Sequence, residues 1–513
     1  MTVLSVLLGS LAAATVIRAA PAPSNSYERH NQHRSAARYI VPRAPAVALA
    51  EHTLPLERRP VPPGRAHRPR PWQNLDAVPR PVGYAARKGN ATLPGGSVTV
   101  GAAPAANHDI EYITQVIAGA NNLSVVVDTG SSDTWFVRHG FACIDPQYGT
   151  VTISAVCGFG PAFKGDFPGG AIADQHLSVA YGTGSGPFIV GQMGYSDLQV
   201  SGFKTDKQVI GLATEGYWDG DGVTSGLLGL GLPGLTNAFA GSLLEANTLS
   251  GQLHDQLYGP ILYSPLVSTL AAANNISQFS LALSRDPGES VLALGGAPPG
   301  IDIDPKLGWV TTPIVKMALN RGISSSGSGS GSAAVTPSYA YYTIAVDGFI
   351  FNSSTLVRNF TAVGQQPLSQ VPIIVDSGTT LNLLPYEIAE AINQMFVPHA
   401  QLDPDQGLWF VRCDATPPSL GVQIGGKTIW TDPKSMIMTP TPARDGGVSS
   451  VPDGLCLSGI STRSGTPYIL GDVFMQQLVT VFDTGNHEIK FGKRLPRASA
   501  SAGKKGTKKG TAP

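Results

Sequence analysis

The sequence is poor in charged residues and in cysteine, and its apolar runs are short. Charged residues make up 14% of the 513, and 35 Lys and Arg balance 35 Asp and Glu, so the formal net charge is zero. Glycine and proline are abundant instead, at 60 and 41 residues, which predicts many turns and short strands. With 42% of its residues hydrophobic, the chain fits neither a coiled coil nor a fully disordered protein.

The four cysteines and ten histidines give no sign of a metal or redox site. No two cysteines form a Cys-x-x-Cys pair and the histidines lack metal-ligand spacing, so we expect neither a metal nor a cofactor. An even number of cysteines suits two structural disulfides in an oxidising compartment, although four cysteines allow three pairings. The sequence also contains no phosphate-cradling glycine loop and no Ser-His-Asp signature.

The zero net charge conceals an uneven distribution along the chain. Residues 1–88 carry 13 basic and 4 acidic residues, a net charge of +9, whereas residues 493–513 carry 7 basic residues and no acidic ones. The body between them has a net charge of −16. Because an acidic body repels phosphate groups, nucleic-acid binding is disfavoured. The basic head is suited to act as an electrostatic partner of the body at some stage.

The first 88 residues resemble targeting and processing segments. Residues 1–19 combine an apolar run with small residues at its end, which indicates a secretory signal peptide. That run is too short and too interrupted to predict a membrane span. Residues 20–88 are rich in Arg, Pro and His, and we interpret them as a basic pro-segment that ends at the dibasic pair Arg87-Lys88. A second dibasic pair, Arg58-Arg59, is the rival processing site.

Other features agree with a protein that leaves the cytoplasm. Residues 494–513 lack apolar content, so we expect a disordered basic tail and no lipid-anchor signal. We therefore predict a secreted, extracellular protein without a membrane anchor, with vacuolar delivery as the alternative. Five Asn-x-Ser/Thr sequons are glycosylation candidates, and they begin at Asn90, Asn122, Asn275, Asn352 and Asn359.

From about residue 95 the sequence has the residue pattern of a β protein. Short β-branched runs such as YITQVIAG, LSVVVDTG, FIVGQMGY and QVIGL alternate with glycine-rich turns, which predicts a mostly antiparallel all-β fold. SVTVG, at the start of this region, is a further such run. Helical signals are few, and the best lie at 384–396 and near 263–273. A flexible insertion is expected at 324–332, where the sequence is SSSGSGSGS.

One internal repeat carries chemical meaning. The first copy is VVVDTGSS at 125–132, and the second is IIVDSGTT at 373–380. Each copy is an apolar strand that runs into Asp, a hydroxyl residue, Gly and two further hydroxyl residues. Each is followed about a hundred residues later by two apolar residues and Gly, at 227–229 and 469–471. Two similarly spaced copies indicate two similar lobes that face each other.

The repeat predicts a pair of interacting carboxylates. An Asp at the end of an apolar strand is costly to bury unless it is hydrogen-bonded, and the following Gly lets backbone N–H groups reach it. Two such loops that meet bring Asp128 and Asp376 together, and two close carboxylates share a proton because both cannot ionise. Such a pair can activate water at one carboxylate and protonate a carbonyl oxygen from the other, which is general acid–base hydrolysis.

These motifs together resemble the pepsin-like aspartic proteases (peptidase family A1), and specifically the secreted fungal members. The resemblance covers roughly residues 105–493 and is carried by VVVDTGSSDTWFV, IIVDSGTTLNLLP, AYGTGS, TSGLLGLG and YILGDVFMQQLVTVFDTGN. It implies a bilobal acid-protease fold with a cleft between the lobes. We assign 89–295 to the N-terminal lobe, which carries Asp128 and the flap, and 296–493 to the C-terminal lobe, which carries Asp376.

The resemblance also assigns roles to the two loops. Asp128 and Asp376 are the expected catalytic dyad that holds the attacking water. Thr129 and Ser377 are expected to cross-link the loops. The hydroxyls of Ser131 and Thr379 are expected to bond the aspartates, while Gly130 and Gly378 complete the supporting loops.

A second group of residues is implied for substrate binding. AYGTGS at 180–185 corresponds to the flap, a hairpin that closes over the substrate, and Trp135 is expected behind the flap tyrosine. Val126 and Leu227 are expected to line an apolar pocket, although a plain core position is nearly as probable for such residues. The flap residues assigned to substrate contact are Tyr181, Gly182 and Thr183.

The resemblance to the aspartic proteases also accounts for the cysteines and for a third Asp-Thr-Gly sequence. The resemblance implies the disulfides Cys143–Cys157 and Cys413–Cys456. A third Asp-Thr-Gly begins at Asp483, and we interpret it as a structural turn because it lies inside the expected final hairpin.

The sequence thus predicts a secreted aspartic endopeptidase that is made as a proenzyme and acts at acidic pH. The expected partners are protein or peptide substrates, the chain's own pro-segment and pepstatin-type inhibitors, and a monomer is expected. The alternative is a pepsin-like binding or inhibitor protein that has lost catalysis. A glycoside hydrolase would explain two carboxylates but not the duplicated loops.

Overall fold

A computed structural model of the chain describes residues 52–58, 111–145, 148–182, 186–243, 259–286, 288–317, 319, 337–351, 355–357, 370–403, 407–439, 454–463 and 465–495. The predicted signal peptide, most of the pro-segment, the SVTVG run and the insertion at 324–332 lie outside the described residues, as does the tail from 496 onward.

The described residues consist mainly of strands, which confirms the all-β prediction. Three α-helices are present among them, α1 (Leu266–Asn274), α2 (Tyr386–Asn393) and the short α3 (Asp472–Met475). The strands are β1 (His52–Arg58), β2 (Tyr112–Ala118), β3 (Asn121–Asp128), β4 (Trp135–Ile144), β5 (Val151–Thr152), β6 (Ala171–Ala180), β7 (Phe188–Val200), β8 (Phe203–Tyr217), β9 (Gly226–Gly229), β10 (Ala238–Ala240), β11 (Gln278–Ala282), β12 (Ser290–Leu294), β13 (Trp309–Pro313), β14 (Thr343–Val346), β15 (Gly348–Phe351), β16 (Thr355–Val357), β17 (Val371–Val375), β18 (Asn382–Pro385), β19 (Gln401–Asp403), β20 (Leu408–Arg412), β21 (Leu420–Ile424), β22 (Lys427–Trp430), β23 (Ile437–Met438), β24 (Leu455–Ser458), β25 (Ile460–Arg463), β26 (Tyr468–Leu470), β27 (Leu478–Asp483) and β28 (Glu488–Lys493).

The two longer helices lie where the sequence predicts them. α1 begins after Pro265 and ends at Asn275, which adopts a left-handed conformation with φ 55°. α2 begins after Pro385, and its buried face carries Ile388, Ala389 and Ile392, with the helical spacing of an amphipathic segment. Both helices therefore pack one apolar face against the strands.

A single large sheet runs through both halves of the chain. Its strand order is β10-β6-β7-β8-β4-β9-β3-β2-β1-β12-β11-β27-β28-β13, with β5 paired to β4. Three smaller sheets have the orders β14-β17-β26-β18-β25, β16-β15-β21-β22 and β19-β20-β24-β23. β11, from the predicted N-terminal lobe, pairs with β27 from the predicted C-terminal lobe, so the assigned lobes share this sheet.

The internal repeat produces the same local structure twice. β3 runs parallel to β9, with Val126 opposite Leu227. β17 runs parallel to β26, with Ile374 opposite Ile469. In both places the apolar strand that leads into the Asp motif lies beside the later apolar pair. Both of its faces are covered, as is usual for parallel strands. Each Asp motif is thus held at the end of a packed strand.

Two segments outside the predicted lobes are tied into the large sheet. β1, inside the predicted pro-segment, pairs with β12 through residues 52–56 and with β2 through residues 57–58. At the other end, Arg494 donates hydrogen bonds from its guanidinium to the carbonyl oxygens of Leu283 and Glu289. The backbone N–H of Leu495 donates to Asp302. Arg494 and Leu495, which the sequence assigns to the tail, are therefore bonded to the body.

Candidate active site

The two copies of the Asp motif face each other at the bottom of a cleft. Asp128 is the last residue of β3, and Asp376 directly follows β17. Both side chains are almost fully buried, with 5% and 7% exposed. The structure therefore brings together the two aspartates that the sequence pairs, although 248 positions separate them in the chain.

Two donors of its own loop hold the Asp128 carboxylate. The backbone N–H of Gly130 donates to Oδ1 at 2.7 Å. The hydroxyl of Ser131 donates to Oδ2. These bonds offset part of the cost of removing a carboxylate from water.

Asp376 has the same two donors in the second loop. The backbone N–H of Gly378 donates to its Oδ1 at 2.8 Å, and the Thr379 hydroxyl donates to its Oδ2 at 2.7 Å. The two carboxylates therefore have equivalent surroundings, as two copies of one motif should produce.

Four hydrogen bonds cross from one loop to the other. The hydroxyl of Thr129 donates to the carbonyl of Val375 and accepts from the backbone N–H of Ser377, at 3.1 and 3.0 Å. Reciprocally, the Ser377 hydroxyl donates to the carbonyl of Val127 at 2.8 Å and accepts from the backbone N–H of Thr129 at 3.2 Å. All of these groups are buried, so the bonds fix the loops relative to one another without competition from water.

The glycines of the two motifs are required because a side chain at either position would collide with the opposite aspartate. A Cβ on Gly130 would lie 2.5 Å from Cγ of Asp376, and a Cβ on Gly378 would lie 2.6 Å from Cγ of Asp128. Real Cβ atoms do not approach other heavy atoms that closely. The sequence predicts that these glycines let backbone N–H groups reach the aspartate of their own loop, and in the structure each also makes room for the carboxylate of the opposite loop.

Burial and the opposing carboxylate shift the titration of the pair. Loss of water around Asp128, and then the charge of Asp376, raise the pKa of Asp128 well above that of an exposed aspartate. The bonds from Ser131 and Gly130 act in the opposite direction but do not cancel that rise. The two carboxyl groups are therefore not both ionised and share a proton.

Tyr181 stands on an aromatic cluster beside the dyad. The indole Nε1 of Trp135 donates to the Tyr181 hydroxyl at 2.7 Å, and the ring of Trp218 meets both aromatic rings edge to face at 5.2 Å. The loss of solvent around Tyr181 raises its pKa well above the usual value. The negative charges of Asp133 and Asp128 add to this rise. Its hydroxyl therefore stays protonated over the working range of an enzyme.

The dyad opens into a cleft of about 1000 Å³ that both halves of the chain line. Val126 and Leu227, the expected pocket residues, both face it and are 2% and 3% exposed. A cavity of this volume lies at the upper end of the usual range for ligand sites, about 300–1,000 Å³. Other lining residues include Glu111, Gly182, Pro187, Asn237, Tyr341, Leu383 and Pro467.

Several lining residues have no signal in the sequence. Trp218 and Asp219 follow β8, and Arg463 ends β25, all outside the recognisable motifs. Asp133 lies inside the first Asp motif, but the sequence does not indicate its partners. Its buried carboxylate accepts from the backbone and amide of Asn237, at 2.9 and 2.6 Å, and from the hydroxyl of Tyr263, at 2.7 Å. Only the tertiary fold reveals these contacts, since each joins segments distant in sequence.

The other predicted residues divide between described and undescribed positions. Asn122 and Asn275 lie at exposed positions, where a glycan could be attached. Thr183, Asn90, Asn352 and Asn359 lie outside the described residues. Asp483 lies at the end of β27, away from the dyad, and its buried carboxylate pairs with Lys490 at 2.8 Å. This third Asp-Thr-Gly therefore belongs to the β27–β28 hairpin.

Both expected disulfides are formed in the structure. Cys143 bonds to Cys157 across 14 residues, and Cys413 bonds to Cys456 across 43 residues. Disulfides that close loops of these lengths typically stabilise a protein by about 2–4 kcal/mol. The first lies on β4, the strand that begins at Trp135, and so braces the element that supports Tyr181.

Two buried carboxylates at the floor of a peptide-sized cleft are typical of hydrolases that use general acid–base catalysis. A sequence profile of the eukaryotic aspartyl proteases matches residues 111–299 and 322–494 of this chain. The match spans well over half of the sequence, and the chain therefore belongs to the eukaryotic aspartyl protease family. The predicted family and enzyme class are confirmed at this level.

Two known proteins with similar sequences fall in the same class. A "Probable aspartic-type endopeptidase" of Aspergillus fumigatus is 30% identical over 390 residues, 74% of this chain and 78% of that protein. Pepsin A of Rhinolophus ferrumequinum is 27% identical over 387 residues, 74% of this chain and 80% of that protein. The crystal structure of the aspartic proteinase from Irpex lacteus has 21% identity and a TM-score of 0.49, and it covers 77% of this chain and 97% of that one.

Within the described residues, none of the helices has the length and apolar character of a membrane span.

Proposed function

We propose that the protein is an aspartic endopeptidase in which Asp128 and Asp376 activate a water molecule to hydrolyse a peptide bond. The observation that carries the proposal is the symmetric placement of the two carboxylates, each with two donors of its own loop, at the floor of one cleft. Family membership supports protein substrates and inhibition by pepstatin.

The chemistry needs one proton on the pair. In the resting pair the two carboxyl groups share one proton, because burial and the opposing carboxylate raise the pKa of Asp128. As water attacks the scissile carbonyl carbon, the ionised carboxylate accepts a proton from the water and the protonated one donates to the carbonyl oxygen. As the tetrahedral intermediate breaks its C–N bond, the carboxyl group that took the water proton donates it to the leaving amine. The other carboxylate takes back the proton from a hydroxyl of the intermediate as the C=O bond re-forms, and the pair is again singly protonated.

The alternative is a binding protein on the same scaffold. Loss of catalysis would be expected to remove an aspartate, a motif glycine or the flap tyrosine. This chain keeps Asp128, Asp376, both glycines that make room for them, and a hydrogen bond from Trp135 that positions Tyr181. These groups have no joint purpose in a protein that only binds, so they favour the enzyme.

We also propose that the chain is secreted as a proenzyme whose basic segment, residues 20–88, is removed before activity. The opposed charges of +9 and −16 support an electrostatic hold of the segment on the body. The pairing of β1 between β2 and β12 supports a segment that folds together with the body before its removal. Acid would weaken that hold by protonating carboxylates of the body.

Proteolysis at acidic pH tests the enzymatic proposal. The processed protein should hydrolyse casein at about pH 4, and pepstatin should abolish that activity. Absence of pepstatin-sensitive activity after processing would favour the binding protein. For the proenzyme proposal, the secreted protein should begin beyond Lys88, or beyond Arg59 at the rival site, when its N-terminus is sequenced from the medium. An unprocessed chain with full activity at neutral and acidic pH would refute the proenzyme.

A further inference from the structure

Besides the dyad and Glu111, one acidic and one basic side chain line the cleft, and they lie in opposite halves of the chain. Asp219 lines it from the half that bears Asp128, next to Trp218, whose ring contacts Tyr181. Arg463 lines it from the half that bears Asp376. Neither charge takes part in the hydrolysis described above, and neither belongs to a motif of the sequence.

Asp219 is placed to act on a substrate side chain. It follows directly on Trp218, which is 8% exposed and forms part of the platform under the flap tyrosine. Loss of solvent raises the pKa of Asp219 to about 6. A carboxylate that has lost water in this way gains more from an approaching cation than one on an open surface does.

Arg463 lies on a strand of the other half. It is the last residue of β25, where it stands in parallel register with Pro385, the residue before α2. Leu383, Pro467 and Ile469 line the same half of the cleft with apolar side chains. A partly buried guanidinium against an apolar wall is a strong point of discrimination between anionic and cationic side chains.

An extended peptide would meet the two charges at different positions. Its residues rise by about 3.3 Å each, so a chain that crosses the dyad presents some side chains to one half and later ones to the other. A substrate charge of the wrong sign would lose its hydration and face a like charge, whereas the right sign would replace lost water with an ion pair.

On the basis of the proposed peptidase function, we propose that Asp219 and Arg463 set the charge specificity of the cleft. Asp219 takes a cationic side chain, Lys or Arg, of an extended substrate. Arg463 takes an anionic side chain, Asp or Glu, at a different substrate position. Apolar residues beside the cleaved bond and these two charges together define the preferred peptide.

The test uses the processed protein and short synthetic peptides with two central phenylalanines. Each flanking position in turn carries Lys, Gln or Glu, and kcat/KM is measured at about pH 6, where a substrate Glu is ionised. At one position we expect Lys to exceed Gln by about fivefold, and at another we expect Glu to exceed Gln by about fivefold, as for one solvent-accessible ion pair.

Substitutions then assign each preference to its residue. Asp219→Asn should remove the preference for Lys and leave that for Glu, and Arg463→Gln should do the reverse. Asp219→Glu should restore the preference for Lys. Asp206→Asn and Arg412→Gln are the controls, because they remove charges of the same sign from exposed side chains. Asp206 pairs with Lys204 and Arg412 pairs with Asp414, and neither substitution should change either ratio. Circular dichroism verifies that each variant is folded.

The all-Gln peptide separates this proposal from the peptidase function itself. If it is not cleaved, or if its cleavage resists pepstatin, the peptidase proposal has failed. If it is cleaved with pepstatin sensitivity but the Lys and Glu ratios are the same in wild type and both cleft variants, the assignment of charge specificity is overturned. A change in only one of the two variants also overturns the paired assignment.

Discussion

Gly130 lies so close to Asp376 that a methyl group on its Cα would stand 2.5 Å from the Cγ atom of that aspartate. The reciprocal relationship joins Gly378 to Asp128. The two loops therefore interlock through glycine and carboxylate, and the distance between the carboxylates depends on the absence of two side chains.

Gly130→Ala should reduce kcat/KM by about 100-fold or more. The added methyl group displaces Asp376 from its partner, and a misplacement of about 1 Å costs roughly that factor in positioned catalysis. Gly465→Ala is the matched control, because a Cβ at that position meets nothing within 4 Å. Steady-state kinetics on one peptide gives kcat/KM for both variants and for wild type. Equal losses in both variants would contradict the spatial explanation.

Trp135→Phe should lower kcat/KM by about fivefold while the protein stays folded. The change removes the indole N–H that donates to the Tyr181 hydroxyl but keeps an aromatic ring in the cluster. One neutral hydrogen bond contributes about 1 kcal/mol, which corresponds to roughly that factor when it positions a substrate-contacting group. Tyr181→Phe should give a similar loss, and the double variant should lose little more than either single one.

Trp430→Phe serves as the control for that pair, since this tryptophan is 37% exposed and lies on β22, away from the cleft. If the losses from Trp135→Phe and Tyr181→Phe simply multiplied, the two side chains would act independently and the hydrogen bond would have no role in positioning.

Thr129→Val should destabilise the protein by about 1–3 kcal/mol, because it leaves the buried N–H of Ser377 and the carbonyl of Val375 without their partner. Ser377→Ala should cost a comparable amount. Since both changes break one network, the double variant should be more stable than the sum predicts by about 0.5–3 kcal/mol. Urea unfolding of the four proteins measures this coupling, and strict additivity would show that the four bonds do not act as a unit.

Stability should decrease as the pH rises from acidic to neutral, and Asp128 should account for part of the decrease. The folded protein binds the Asp128 proton more tightly than the unfolded chain does, so the stability contribution is complete below the pKa of an unfolded aspartate and is lost as the pH rises through the folded value. Asp128→Asn should therefore be more stable than wild type at about pH 7 and nearly equal to it at about pH 4.

The measurement is the free energy of unfolding by urea at the two pH values. Asp219 contributes in the same direction because its pKa is also raised, so the informative quantity is the difference between variant and wild type rather than either curve alone. The exposed Asp206→Asn should show no such difference. A variant that is less stable than wild type at neutral pH would contradict the raised pKa of Asp128.

Much of the dyad could be predicted from sequence because its information is local. A strand, an aspartate and its loop donors lie within eight consecutive residues, and their duplication indicates that the two loops meet. The spatial reason for Gly130 could not be predicted in this way, since the group that needs the space comes from the other copy. Trp218, Asp219 and Arg463 were missed for the same reason, because their approach to the cleft depends on distant strands.

β1 was missed for a different reason. Its sequence, HTLPLER, contains a proline and lies in an Arg- and Pro-rich segment, and proline within a run argues against a central strand. In the structure Pro55 lies in the part of β1 that pairs with β12, whereas pairing with β2 begins only at residue 57. The missing N–H of proline can therefore face the unpaired edge without breaking the ladder.

The central claim is that Asp128 and Asp376 together perform the hydrolysis, and residual activity in the single variants tests it most directly. Asp128→Asn and Asp376→Asn keep the size and most hydrogen bonds of each side chain but remove the acid–base pair. We predict that both lose at least about 1000-fold in kcat on a pepstatin-sensitive peptide, while Asp206→Asn keeps wild-type activity and all three remain folded. Cleavage by either dyad variant at a rate near that of wild type would contradict the account.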